Sequence, residues 1–489
     1  MPASEQHPDY DNNLDSWQLV RDAVDGSNAI KTRSGGGSNN TGSLNGAAGT
    51  KYLPAPNASD TTAGNKARYD AYKLRANYVN FTGMTSEGIS GLIFRKDAEI
   101  EMPLGLEFIK EDATGSCLPL DQVLRGALAN LMETGRYGFL VDYPEAEEGL
   151  TNAQVQALGL RPNVLTYTAE SIINWRYEVI NGCKRPTLIV LREEVDKCSD
   201  DGFSFERVEY HRVLRMMPVI DKEGKFDDPT LFYASMTYNE HDELIKGPVY
   251  PRKSDGTMWS EIPFQFVGST NNDEVPDKAP LYDIAQVNIA HYRNSADYEE
   301  SSFMVGQPTP VLGGLTPAWI DKTMKNGVAL GSRTAILLPK DGNAALLQAA
   351  PNTMPSEGMK AKEQQMIAIG ARLIQNQGGV ETAEAAKIRF AGQNSKMTVL
   401  IGNLESGLEQ VMTWVKDFAG IQGDHLIKIN RDFYDKSVNP QMVIAKLQLL
   451  DRKVIAKADI RAELRTAGVI AADRTDEMID DESDMDSPI

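Results

Sequence analysis

A long helical pattern runs from Pro280 to Val305. Leu281, Ile284, Ala285, Ile289, Tyr292 and Ala296 are spaced so that they share one helix face. The other face carries Asn288, Arg293, Asn294, Asp297, Glu299 and Glu300, and Gly306-Gln307-Pro308 stops the run. At about 1.5 Å per residue such a helix is about 37 Å long. A second amphipathic run, Ser356 to Ile374, sets Met359, Met366, Ile367, Gly370, Leu373 and Ile374 at helical spacing. Between the two lies a small α/β insert with strand-like Val311-Leu312, helix-like Pro317 to Met324 and strand-like Ala335-Ile336-Leu337-Leu338. Two helices bracketing a compact insert predict a stalk with a head on its far end. A third long helix is expected from Thr382 to about Phe418, interrupted near Gly392, with a core stripe of Leu400, Leu404, Leu408, Val411, Val415 and Phe418.

Upstream, the pattern predicts a body. Arg68 to Leu92 and Leu120 to Glu133 have helical spacing, the second leading through Gly135 into strand-like Phe139-Leu140-Val141. From Asn163 to Gly268 the period shifts to two, as in Val164-Leu165-Thr166-Tyr167, Leu188-Ile189-Val190-Leu191 and Phe264-Gln265-Phe266-Val267. The fold class is therefore α+β, with helices first and a mostly antiparallel sheet after. Residues 1–67 read as a flexible arm, because a short amphipathic piece around Trp17 is followed by a Gly/Ser/Asn tract from Ser34 to Gly49. Downstream of a strand-like Leu426 to Ile429, residues 440–472 hold two short helices, and the tail from Asp473 carries eight acids against one Arg, a block expected to be solvated.

The charge sharpens this picture. With 50 basic against 69 acidic residues the net charge is -19. A protein that grips nucleic acid by its phosphates needs the opposite excess, so any DNA contact should be loose. No apolar run is long enough to span a membrane. The first residues show no basic segment followed by an apolar stretch, so no secretory leader is expected. Three scattered cysteines, Cys117, Cys183 and Cys198, form neither a disulfide framework nor a zinc site, which fits a reducing cytoplasm.

Catalytic patterns are absent: there is no nucleophile elbow, HExxH, phosphate-binding P-loop or dinucleotide glycine fingerprint. The histidines are dispersed, and Glu299-Glu300 and Asp480-Asp481-Glu482 lack the ligand spacing of a calcium loop. No cofactor, no metal site and no enzymatic activity are expected.

The stretch PLYDIAQVNIAHYRNSADYEESSFMVGQPTPVLGGL, residues 280–315, resembles the signature of a tailed-phage portal protein family. Tyr52-Leu53-Pro54, the segment from Arg75-Ala76 to Lys96, and Glu381-Thr382-Ala383 agree with it. The resemblance implies a portal-type subunit with an α/β wing (68–279), a two-helix stem (280–305 and 356–374) and a small α/β clip (306–355). A tunnel loop (375–381), a long kinked helix with return strand (382–439) and a helical crown with acidic tail (440–489) would follow. Such subunits form rings, usually of twelve, at one capsid vertex, the channel for DNA packaging and ejection. The implied partners are other copies of the chain, the terminase large subunit, head–tail adaptor proteins, major capsid and scaffolding proteins, and double-stranded DNA without sequence specificity. The implied location is the virion, after assembly in the host cytoplasm. Implied site residues are the DNA-facing loop Gln375, Asn376, Gln377, Gly378 and Gly379, and the stem acids Asp297, Glu299 and Glu300. Lys322, Lys325, Arg333 and Lys340 in the clip would dock partners. Two other readings stay open on the residues: another virion part such as an adaptor or minor capsid protein, and an α+β enzyme whose site has no sequence motif.

Overall fold

The first helix, α1 (Pro8–Asp25), starts where the His7 ring nitrogen accepts a hydrogen bond from the Asp9 backbone N–H, with Pro8 in the first turn. A computed structural model describes residues 2–35, 43–144, 159–180, 182–198, 202–220, 226–306, 309–323, 338–347, 353–374, 383–431, 456–466, 470 and 474–485. The chain forms two units, Met1–Ile429 and Asn430–Ile489.

The N-terminal residues correct the expectation of a flexible arm. α1 buries Tyr10, Trp17, Val20 and Ala23, and the short α2 (Ser27–Thr32) buries Ile30. The fixing element is polar. Asp22, fully buried, accepts from Arg33 Nε at 2.9 Å and from the Tyr52 hydroxyl at 2.7 Å, which ties α1 to the strap after it. The helical stretch expected over 68–92 is split into α3 (Ala63–Arg75) and α4 (Phe81–Ile93). Asn80 makes the break, its Oδ1 accepting from the Gly83 N–H at 2.8 Å as an N-cap.

Next come β1 (Glu99–Glu101), α5 (Phe108–Glu111), α6 (Leu120–Thr134), β2 (Arg136–Asp142) and β3 (Asn163–Thr168). They are followed by β4 (Ile172–Ile180), β5 (Cys183–Cys198), β6 (Phe205–Ile220), β7 (Phe226–Asn239), β8 (Leu244–Val249) and β9 (Phe264–Gly268). All described strand pairs are antiparallel. One sheet runs β3-β2-β9 and another β4-β5-β6-β7-β8. In β2 every residue from Arg136 to Val141 is buried, so both faces of this central strand are covered. β5 is different: Ile189, Val190 and Leu191 are core, while Glu194 to Cys198 run out into solvent.

The remainder of the first unit is α7 (Tyr282–Gly306), β10 (Thr309–Gly313), α8 (Pro317–Thr323), β11 (Asn343–Leu347), α9 (Met354–Ile374), α10 (Ala383–Ala419) and β12 (Leu426–Lys428). α10 runs unbroken through Gly392, where an interruption is expected from the sequence. Its stripe Leu400, Leu404, Leu408, Val411, Val415 and Phe418 is buried throughout, and this packing outweighs the roughly 1 kcal/mol that a helical glycine costs. β12 pairs with β1, bringing the end of this unit back to the strand before α5.

In the second unit are α11 (Lys457–Thr466) and α12 (Asp476–Met485). The acidic tail is helical over 476–485. Asp476 and Glu477 sit in its first turn, where the helix dipole favours anions, and Arg461 of α11 pairs with Asp480.

Candidate functional site: the helical stalk and its head

α7 and α9 lie side by side. A Cβ on Gly358 would come 2.6 Å from Asn294 Nδ2, His291 Nε2 is 3.3 Å from Glu363 Oε1, and Gly370 faces Ile284. Numbers fall along α7 as they rise along α9, so the helices are antiparallel. The insert carrying β10, α8 and β11 therefore sits at the end where α7 finishes and α9 begins.

The other end of the stalk is fixed in the body. Leu281, Ile284, Ala285, Ile289, Tyr292 and Ala296 are all buried, as their spacing predicts. Ile289, Tyr292 and Ala296 pack with Ile30, Tyr52, Leu53, Ala76 and Tyr78 from the N-terminal segment. Asn288 departs from its expected place on the polar face: it is fully buried and hydrogen-bonded through both amide heavy atoms. Its Oδ1 accepts from the Tyr78 hydroxyl (2.9 Å), the Thr82 N–H (3.1 Å) and the Thr82 hydroxyl (3.0 Å), and its Nδ2 donates to the Val79 carbonyl (2.8 Å). Arg293 Nε donates to the Tyr52 carbonyl at 2.8 Å, and the Asn77 N–H donates to Ser295 Oγ at 3.0 Å. The N-terminal helices are thus a clamp on the root of the stalk.

The stem acids divide. Asp297 Oδ1 accepts from the Tyr72 hydroxyl at 2.7 Å. Glu300 pairs with Arg75, whose guanidinium also lies 4.3 Å from the Phe303 ring centre. Both contacts face α3, so this side of α7 is turned to the clamp. Glu299 is half-buried.

α9 is less covered than α7. Met366 and Gly370 are buried, whereas Ile367, expected in the core stripe, points outward at 48 % exposure. On α7, Tyr298, Phe303 and Met304 are exposed. Gly370 is helical, and a Cβ there would meet Thr85 and Ile284 only at ordinary contact distances of 3.5 and 3.7 Å. Gly370→Ala is therefore expected to stabilise the protein by about 0.5–1 kcal/mol. A urea unfolding series reads this out, and a loss of stability would show that α9 and α4 have no room there.

In the head, β10 and β11 pair from Thr309↔Leu347 to Gly313↔Asn343. The second strand is thus Asn343–Leu347; of the strand expected at Ala335 to Leu338, residues 335–337 lie outside the described residues and Leu338 is not in a strand. Val311, Ile320 and Leu346 are exposed. Lys322 at the end of α8 and Lys340 in the turn before β11 are exposed, while Lys325 and Arg333 lie outside the described residues. So does the loop Gln375, Asn376, Gln377, Gly378 and Gly379, which follows the body end of α9.

Among the described residues no group of three or more His, Cys, Asp or Glu side chains is placed to hold a metal ion. No described helix is long and apolar enough to cross a membrane. Cys117, Cys183 and Cys198 are free and exposed.

A family model described as a domain of unknown function (DUF4055) matches residues 280–419, the span from the start of the stalk to the end of α10. No curated protein matches the chain. The chain is similar to a solved chain described as the virion of a native gene transfer agent (GTA) particle, with a TM-score of 0.38 and 13% identity over 79% of this chain and 89% of that one. It is also similar to a chain from the neck of an empty GTA particle computed with C6 symmetry (TM-score 0.37, 12% identity, 81% of this chain and 89% of that one). A chain from the neck of a native GTA particle computed with C12 symmetry gives a TM-score of 0.36 and 13% identity over 80% of this chain and 91% of that one.

Proposed function

We propose that this chain is the portal subunit of a tailed-phage-type particle. Copies form a ring of twelve at one capsid vertex, and DNA passes through its centre during packaging and ejection. The observation that carries the proposal is the antiparallel pair α7/α9, clamped in the body at one end and bearing the β10–α8–β11 head at the other. The portal-like residues 280–315 lie in this pair and its head.

The surfaces suit such a ring. Ile367 on α9 and Tyr298 and Met304 on α7 leave apolar positions on the stalk for neighbouring copies to cover. The head, with exposed Val311, Ile320 and Leu346 beside Lys322 and Lys340, is where the terminase and later the adaptor proteins would dock. The loop Gln375–Gly379, small and uncharged, would meet the moving DNA. The net charge of -19 disfavours phosphate binding, so DNA slides rather than sticks. Glu299 is the stem acid we place toward the channel, since Asp297 and Glu300 are drawn to α3. In this reading the subunit performs no catalysis.

Negative-stain images of the purified protein should show rings with a hole wide enough for a DNA duplex. A particle that stays monomeric at high concentration would overturn the proposal.

A further inference from the structure

The residues ahead of α1 are fastened to the five-stranded sheet as a clasp. The Ser4 N–H and hydroxyl donate to the two carboxylate oxygens of Asp242, in the turn between β7 and β8, at 2.8 and 2.9 Å. Further on, Asn174 Nδ2 of β4 donates to the Glu5 carbonyl at 2.8 Å, and the His7 N–H donates to the Ile173 carbonyl at 2.9 Å. β4 is an outer strand of its sheet, so the clasp covers part of a strand edge.

His7 joins the clasp to α1 and to β4 at once. Its Nδ1 accepts from the Asp9 N–H at 3.1 Å and so caps α1. That cap needs the Nδ1 lone pair, which a second ring proton would occupy. The ring also stacks on Trp175, with ring centres 4.0 Å apart and planes 16° from parallel. A cation over an indole is ordinarily favourable, but Trp175 already serves one. The guanidinium carbon of Arg136 lies 4.0 Å from its ring centre. Arg136 is 2% exposed, and burial lowers its pKa only to about 9, so it is charged at pH 7. A protonated His7 would add a second cation there, at the positive end of the α1 dipole. Asp9 pulls the other way, its Oδ2 3.7 Å from Nδ1. Burial lowers the His7 pKa, Asp9 raises it and Arg136 lowers it, and the balance lies below the ordinary 6.5.

We infer that residues 2–7 are an acid-released clasp, with His7 as the sensor that loosens it from β4 in mildly acidic solution. Once released, His7 stands in solvent at its ordinary pKa, so the free clasp takes up a proton at a higher pH than the seated one. The seated form is therefore most favoured above pH 6.5 and loses that advantage as the pH falls through its lower seated value. At Asp242 burial works upward, but the hydrogen bonds from Ser4 and Ala3 outweigh it and hold the carboxyl below 3.8, so it stays ionised in this range. Release bares the Ile173 carbonyl on the outer edge of β4. The inference concerns a single chain and does not depend on ring formation.

Hydrogen exchange of the full chain read by mass spectrometry over a pH series, normalised to intrinsic rates at each pH, tests the clasp. Between pH 7.5 and 5.5 peptides spanning residues 3–12 should lose protection, while those from α6 and β2 keep theirs. The loss should set in just below pH 6.5. His7→Asn keeps a capping acceptor but has nothing to titrate, so its clasp should be equally protected at both pH values. His211, whose charge reaches Asp242 and whose Nε2 is 3.3 Å from Glu209, is the other nearby titrating ring, and His211→Gln should retain the loss. Equal protection of the parent at both pH values would overturn the inference. So would a loss that begins only near pH 4.5, in the carboxylate range, or one that survives in His7→Asn.

Discussion

Replacing Asn288 by leucine is expected to destabilise the protein by about 1–3 kcal/mol, although leucine is close in volume and sits well in a helix. Asn288 is fully buried at the junction of α7 with the segment leading into α4. Without its side chain the Thr82 N–H loses its acceptor, while the Val79 carbonyl keeps the Phe81 N–H at 2.9 Å. The two hydroxyls suffer less, because they can turn. Tyr78, for instance, shares its one hydroxyl proton between Asn288 and the Ala23 carbonyl at 2.7 Å and can give it wholly to the carbonyl. One orphaned backbone N–H at about 1–3 kcal/mol sets the size of the effect. The consequence should be local before it is global. The clamp on the stalk root should loosen, and limited proteolysis should cut within residues 76–82 faster than in the parent protein. An unchanged urea midpoint and cleavage pattern would mean that the apolar contacts of Ile289, Tyr292 and Ala296 hold the root without the amide.

The contrast between Asn288 and its neighbours shows what the sequence could convey. Each apolar residue of the α7 stripe is buried, because hydrophobic spacing reports the face a helix turns to its core. A buried asparagine reads as a surface letter until its partners are known, and here they are about 210 positions away in the chain. The same blindness explains the N-terminal segment. Trp17 and its helix are visible, but the Asp22–Arg33–Tyr52 link that seats them is tertiary, and the adjoining Gly/Ser tract dominates the local composition. Ile367 errs in the opposite direction. Its spacing matches a core stripe, yet it faces outward.

Arg21 supplies the second large effect, and one that pH should reveal. Its guanidinium joins three elements: Nη1 donates to Glu133 at 2.5 Å and Nη2 to Asn130 at 2.6 Å, both on α6, while Nε donates at 2.9 Å to Glu170, just before β4. Burial pushes the Glu170 carboxyl up, but the hydrogen bonds and charge of Arg21 outweigh it and hold the pKa below the ordinary value. Burial dominates at Glu133, whose pKa stays raised despite the same cation. Arg21→Met should cost about 3 kcal/mol at pH 7.5, the lower end for a broken buried pair, because Arg21 and Glu170 keep 24% and 25% of their side-chain surface exposed. Glu170 in the parent has a depressed pKa, so its contribution is present above pH 4.5 and is lost as the pH falls through its folded value. In the variant, burial acts on both carboxylates without the cation, and both folded pKa values rise above the unfolded ones. The native state then binds more protons than the unfolded state, and stability increases as the pH falls. The deficit of Arg21→Met should therefore be largest at pH 7.5 and shrink toward pH 5 in paired urea titrations. A deficit of the same size at both pH values would mean that Arg21 acts through the packing of its stem rather than through its charge.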